Sequence, residues 1–98
     1  MPDNNELVRV HVWVKGRVQN VGFRAHVEFS ARRIGVTGWV RNVGYDTVEA
    51  VAEGAREKIE RFVDMIKAGP QGSRVDETKL DWENPSGEFD GFDVRRSL

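Results

Sequence analysis

An α+β sandwich is what this sequence predicts: two helices packed on one face of a four- or five-stranded, mostly antiparallel sheet. Three observations lead there. Residues 7–14 alternate with a period of two, residues 23–34 and 55–68 repeat apolar side chains at helical spacing, and two β-rich stretches lie between those helices around a short turn.

The first strand is Leu7 to Val14, with Val8, Val10, Val12 and Val14 on one face and Leu7, Arg9, His11 and Trp13 on the other. Lys15 to Gly22 has glycines near both ends and reads as a loop. The first helix follows because Phe23, Val27, Ala31 and Ile34 fall on one helical face and Gly35 stands where helices stop. Val36 to Val43 and Thr47 to Ala52 flank Gly44-Tyr45-Asp46, the pattern of an antiparallel hairpin. Ala55 to Ala68 places Ile59, Phe62, Val63 and Ile66 at i, i+3, i+4 and i+7, and Gly69-Pro70 ends that helix. Val75 to Glu83 alternates weakly, and the sheet has four or five strands according to whether Phe89 to Arg95 joins it. Strand, helix, strand, strand, helix, strand is the order of a ferredoxin-like sandwich. Residues 1–6 read as a flexible tail, leaving 7–98 as a single domain.

Composition narrows the function. Ninety-eight residues, 39% hydrophobic and 32% charged, suit one soluble core, and no apolar run reaches membrane-spanning length. The absence of cysteine excludes a disulfide framework, a thiolate nucleophile and a sulfur-ligated zinc site. It also fits a cytoplasmic location, as does a polar start without a signal-like apolar stretch. A formal charge of −1 supplies no field to gather nucleic acid. Asp76, Glu77 and Asp81 lack metal-ligand spacing, so no metal is expected. His11 and His26 have no carboxylate at a telling spacing and are read as structural or surface residues, and Trp13 and Trp39 as packing residues. The small size favours a monomer.

The segment richest in chemistry is Gly16-Arg17-Val18-Gln19-Asn20-Val21-Gly22-Phe23-Arg24. A glycine-flanked loop entering a helix can turn several backbone N–H groups to one point, where the helix dipole adds positive charge. Arg24 can add a planar fork of donors for two phosphate oxygens. No Gly-Lys-Ser/Thr closes the loop, so nucleotide binding gets no support. On loop composition alone, a tight turn with a solvated arginine is the favoured account.

Family resemblance separates the two accounts. Gly16-Arg17-Val18-Gln19-x-Val21-x-Phe23-Arg24, followed by Gly38-Trp39-Val40-Arg41-Asn42, resembles the paired signature of acylphosphatases at the family's separation. The likeness runs from Val8 onward and includes Gly69-Pro70 and Ser73-Arg74-Val75-Asp76. It implies a hydrolase that cleaves small acyl phosphates to a carboxylate and inorganic phosphate without metal, cofactor or covalent intermediate. It further implies that the backbone of Arg17, Val18, Gln19, Asn20 and Val21, with Arg24, holds the phosphate, and that Asn42 orients the attacking water. Inorganic phosphate, the product, is then expected to compete with substrate. Two departures stand out: Asn20 replaces the family's usual glycine, and Arg96-Ser97-Leu98 follows Phe92-Asp93-Val94-Arg95 where the family often has tyrosine. Asparagine is the best non-glycine residue for a left-handed backbone. Two other classes remain in view, a non-catalytic anion-sensing module and an RNA-binding sheet face.

Overall fold

The structure is a computed structural model describing residues 5–98. Its elements are β1 (Leu7–Arg17), α1 (Phe23–Ile34), β2 (Thr37–Val43), β3 (Thr47–Ala55), α2 (Arg56–Ala68), β4 (Arg74–Glu83) and β5 (Phe92–Val94). The strands form one sheet in the order β4-β1-β3-β2-β5. β1 pairs antiparallel with both β3 and β4, and β2 pairs antiparallel with β3 and parallel with β5. This is the expected ferredoxin-like sandwich with the larger of the two strand counts.

Alternation in β1 decides which face is covered. Val10, Val12 and Val14 are fully buried and sit opposite Ala52, Ala50 and Val48 of β3. The small alanines leave room for larger side chains from the helices, Phe23 and Val27 from α1 and Ile59, Phe62 and Ile66 from α2. Phe62 meets Phe92 of β5 with ring centroids 5.8 Å apart, joining the second helix to the far edge of the sheet. Each such buried side chain contributes about 1.5–3 kcal/mol of transfer free energy. Among the described residues, the other face of the sheet carries no helix.

The element ends differ from the sequence expectation where tertiary pairing extends a strand. β1 runs on to Arg17 because Gly16 and Arg17 pair with Val75 and Arg74 after a register shift at Lys15/Gly16. The connection to α1 is thereby shortened to 18–22. β3 likewise extends to Ala55, opposite Leu7. Two bonds hold Glu6 to the start of α2: Arg56 N–H donates to the Glu6 carbonyl at 2.9 Å, and their side chains pair at 3.6 Å. The rest of the predicted tail, residues 1–4, lies outside the described residues.

Gly38 fixes how closely β2 approaches β3. Its φ is +144°, and a Cβ there would fall 1.8 Å from the Val51 carbonyl oxygen. Any side chain would push β2 outward and carry Asn42, four residues along the strand, out of place.

Candidate active site

The loop between β1 and α1 is anchored before it turns. Val18 is fully buried, and Gln19 Nε2 donates to three carbonyls of the β2–β3 turn: Val43 at 3.4 Å, Gly44 at 3.1 Å and Thr47 at 2.9 Å. The next residue, Asn20, takes φ +62°, the one left-handed backbone outside glycine among the described residues. The departure from glycine therefore falls on a residue type that tolerates this conformation. Gly22 caps α1 with φ +74° and no side-chain cap, and the first turn of α1 holds no acidic residue. The free N–H groups and positive dipole end of α1 are left without a negative side chain from that turn.

Arg24 occupies the second position of α1 and is half-buried. No ion pair or side-chain hydrogen bond engages its guanidinium among the described residues. Asn42 is the penultimate residue of β2, opposite Val48, which places it on the helix-covered face beside the loop. Its Oδ1 is shielded from solvent and accepts no hydrogen bond from the described residues. The chain end steadies this strand: Leu98 N–H donates to the Asn42 carbonyl at 2.9 Å, and Gly44 N–H donates to the Leu98 carbonyl at 3.1 Å.

Val18, Gln19, Asn20, Arg24 and Asn42 line one concavity of about 310 Å³. Of the other residues singled out in the sequence, Arg17 closes β1 and Val21 packs against the core, and neither side chain lines this space. Glu28 and Val94, which sequence reasoning passed over, do line it. Glu28 could have been found as the residue one helical turn beyond Arg24. Val94 could not, because it arrives through the parallel pairing of β5 with β2. Three larger hollows, about 360, 410 and 360 Å³, carry Glu6 and Glu83 in the first, Glu53 in the second, and Arg33 and Arg61 in the third. In the first, Arg56 is paired with Glu6, and the second holds no cation; in the third, Arg61 is paired with Glu57, and Arg33 sits in the last turn of α1, at the negative end of the helix dipole.

The uncovered sheet face is organised differently. Glu49 accepts from His11 Nε2 and from Arg41 Nε, each at 2.6 Å. Burial alone would raise the Glu49 carboxyl, but the hydrogen bonds from Arg41 and His11 outweigh it and hold the group below the usual carboxylate range. This corrects the expectation that no carboxylate orients His11: the partner is 38 residues away and comes alongside only through the pairing of β1 with β3. His11 stacks on Trp13 at 3.8 Å, and Trp39 lies beneath both Arg41 at 4.8 Å and Arg95 at 4.7 Å. Trp39 is buried by this packing, as the sequence reading of it implied. Glu53 follows the same rule: burial works to raise it, while bonds from the Ser86 and Gly87 backbone, the Ser86 hydroxyl and Arg9 keep it low.

The chain matches the family model "Acylphosphatase" over residues 10–94. An acylphosphatase of Pyrobaculum islandicum is 47% identical over 90 residues, covering 91% of this chain and 95% of that one. One from a Roseiflexus species is 44% identical over 89 residues, covering 91% and 96%. Among solved structures, an acylphosphatase from Bacillus subtilis superposes with a TM-score of 0.86 at 31% identity, covering 90% of this chain and 98% of that chain.

Proposed function

Because this chain belongs to the acylphosphatase family, and so hydrolyses the carboxyl–phosphate bond of acyl phosphates, we propose that Arg24 and Asn42 are the two side chains that carry its reaction. The observation behind this reading is their convergence on one concavity beside the amides of an uncapped helix, one with an unengaged guanidinium and the other with an unpartnered Oδ1.

In this reading the phosphate group sits against the backbone N–H groups of Arg17 to Val21 and the start of α1, and Arg24 binds two of its oxygens. Asn42 Oδ1 accepts a hydrogen bond from water and aims its oxygen at phosphorus, opposite the acyl group. As the new P–O bond forms, the bond to the acyl oxygen breaks and the pair of electrons leaves on the carboxylate. That leaving group is a weak base and needs no general acid. The water's proton passes to a phosphate oxygen. Phosphoryl transfer of this kind depends on charge stabilisation and in-line placement, which the loop, Arg24 and Asn42 would supply without a metal or a covalent intermediate.

The same pocket would hold free phosphate, making inorganic phosphate a competitive inhibitor. It is completed by residues of one chain, which supports a monomeric enzyme, and the lack of cysteine suits the cytoplasm. The experiment is hydrolysis of benzoyl phosphate by the folded protein in the presence of a chelator. Turnover inhibited competitively by phosphate is expected; no hydrolysis above background would overturn the assignment.

A further inference from the structure

Building on that phosphate site, we propose that Arg32 is a positioning residue: it holds the Glu28 carboxylate at the pocket rim and away from Arg24, so that the Arg24 guanidinium stays free for phosphate. A carboxylate in the wall of a phosphate pocket needs an explanation. Glu28 lies one helical turn after Arg24 and lines the same concavity. Residues at i and i+4 on a helix are neighbours, so Glu28 has two arginines in reach, Arg24 one turn before and Arg32 one turn after. Paired with Arg24, it would act as a competitor built into the chain.

The structure directs it the other way. Glu28 Oε2 meets Arg32 Nη2 at 3.0 Å, and no ion pair joins Glu28 to Arg24 among the described residues. Two physical terms favour this choice. An acid N-terminal to its basic partner at i, i+4 is the better order, and Glu28–Arg32 has it whereas Arg24–Glu28 has the reverse. Arg32 is also fixed independently, since its Nε and Nη2 donate to the Phe92 carbonyl of β5 at 3.2 and 3.0 Å. The edge strand thus sets the guanidinium where Glu28 can reach it. Arg32 is 60% exposed, which keeps the effect modest.

The test follows benzoyl phosphate hydrolysis and its inhibition by inorganic phosphate in Arg32→Ala, Glu28→Gln and the double variant. In Arg32→Ala, KM and the phosphate inhibition constant should rise together by about threefold to tenfold, while kcat stays within about twofold, because saturating substrate displaces an internal competitor. The double variant should return both constants to those of Glu28→Gln, although the Phe92 carbonyl still lacks its donor. A role limited to tethering β5 would leave the double variant as impaired as Arg32→Ala. Arg32→Gln, which keeps an amide donor for that carbonyl, should show the same rise if the alanine variant folds poorly. Unchanged inhibition by phosphate in the Arg32 variants, or no recovery in the double variant, overturns the proposal. Arg24→Ala separates the two levels of the argument. If phosphate still competes at full strength there, the phosphate site itself is wrong and this inference falls with it. If competition is lost there yet unchanged without Arg32, only the Arg32 proposal fails.

Discussion

Arg41 and Asn42 are neighbours in β2 and meet opposite fates. Arg41 faces the uncovered side of the sheet, bonded to Glu49 at 2.6 Å and lying over Trp39. Asn42 faces the helices with a shielded Oδ1 that no described residue satisfies. The two arginines repeat the contrast: Arg9 is bound by Glu53, Glu83 and Glu88, while Arg24 has no ion pair among the described residues. Strand alternation sends successive residues to opposite faces, so one strand can place a paired group and an unpaired one side by side in sequence without mixing their surroundings. An unsatisfied buried polar atom costs about 1–3 kcal/mol. Its retention beside an unengaged arginine is what a site completed by its ligand would require.

The sharpest way to break this contrast is to remove Arg24. Arg24→Ala should lower kcat/KM for benzoyl phosphate about a hundredfold or more, a loss on the order of 3 kcal/mol of transition-state stabilisation. Urea unfolding should show stability unchanged within about 0.5 kcal/mol. A variant that lost stability and kept its rate would reverse the roles assigned to the two regions.

Glu49→Ala is the complementary change. It leaves Arg41 and His11 without their shared carboxylate and should destabilise the fold by about 1–3 kcal/mol with kcat unchanged. The effect carries a pH signature. Because the folded protein holds the Glu49 carboxyl below its ordinary value of 4.5, its stabilisation is complete above that value and fades as pH falls through the lower, folded-state range. The gap in unfolding free energy between wild type and variant should therefore be full at neutral pH and shrink in acid.

Gln19→Ala probes the boundary between the regions, since this side chain ties the β1–α1 loop to the β2–β3 turn. Losing three carbonyl bonds should cost about 1 kcal/mol of stability and weaken inhibition by phosphate several-fold. Equal phosphate affinity in the variant would mean that the loop holds its shape without this anchor. The smallest effect is expected at Asn20, where glycine adopts the same left-handed backbone. Asn20→Gly should keep activity and shift stability by less than about 1 kcal/mol in thermal unfolding.

Much of this was legible in the sequence because it rests on local periodicity. The valine alternation from Val8 to Val14 and the helical spacing from Phe23 to Ile34 define the sandwich with few long-range facts. The loop and Arg24 stood out as a contiguous anion-binding pattern, and Asn42 through its companion motif. What stayed hidden depends on pairing across the sheet. The extension of β1 to Arg17 needs β4 beside it, the His11–Glu49 bond needs β3, and Val94 reaches the pocket only when β5 lies parallel to β2. Gln19 reads as part of a motif, yet its three bonds to the β2–β3 turn appear only once the hairpin is folded under the loop.

Asn42→Ala puts the central claim to the most direct trial, with turnover of benzoyl phosphate and inhibition by inorganic phosphate measured on the same folded sample. If Arg24 and the loop hold phosphate while Asn42 aims the water, kcat should fall about a hundredfold and the phosphate inhibition constant should stay close to that of the wild type. Wild-type turnover in this variant, or loss of phosphate inhibition in step with kcat, would contradict the account.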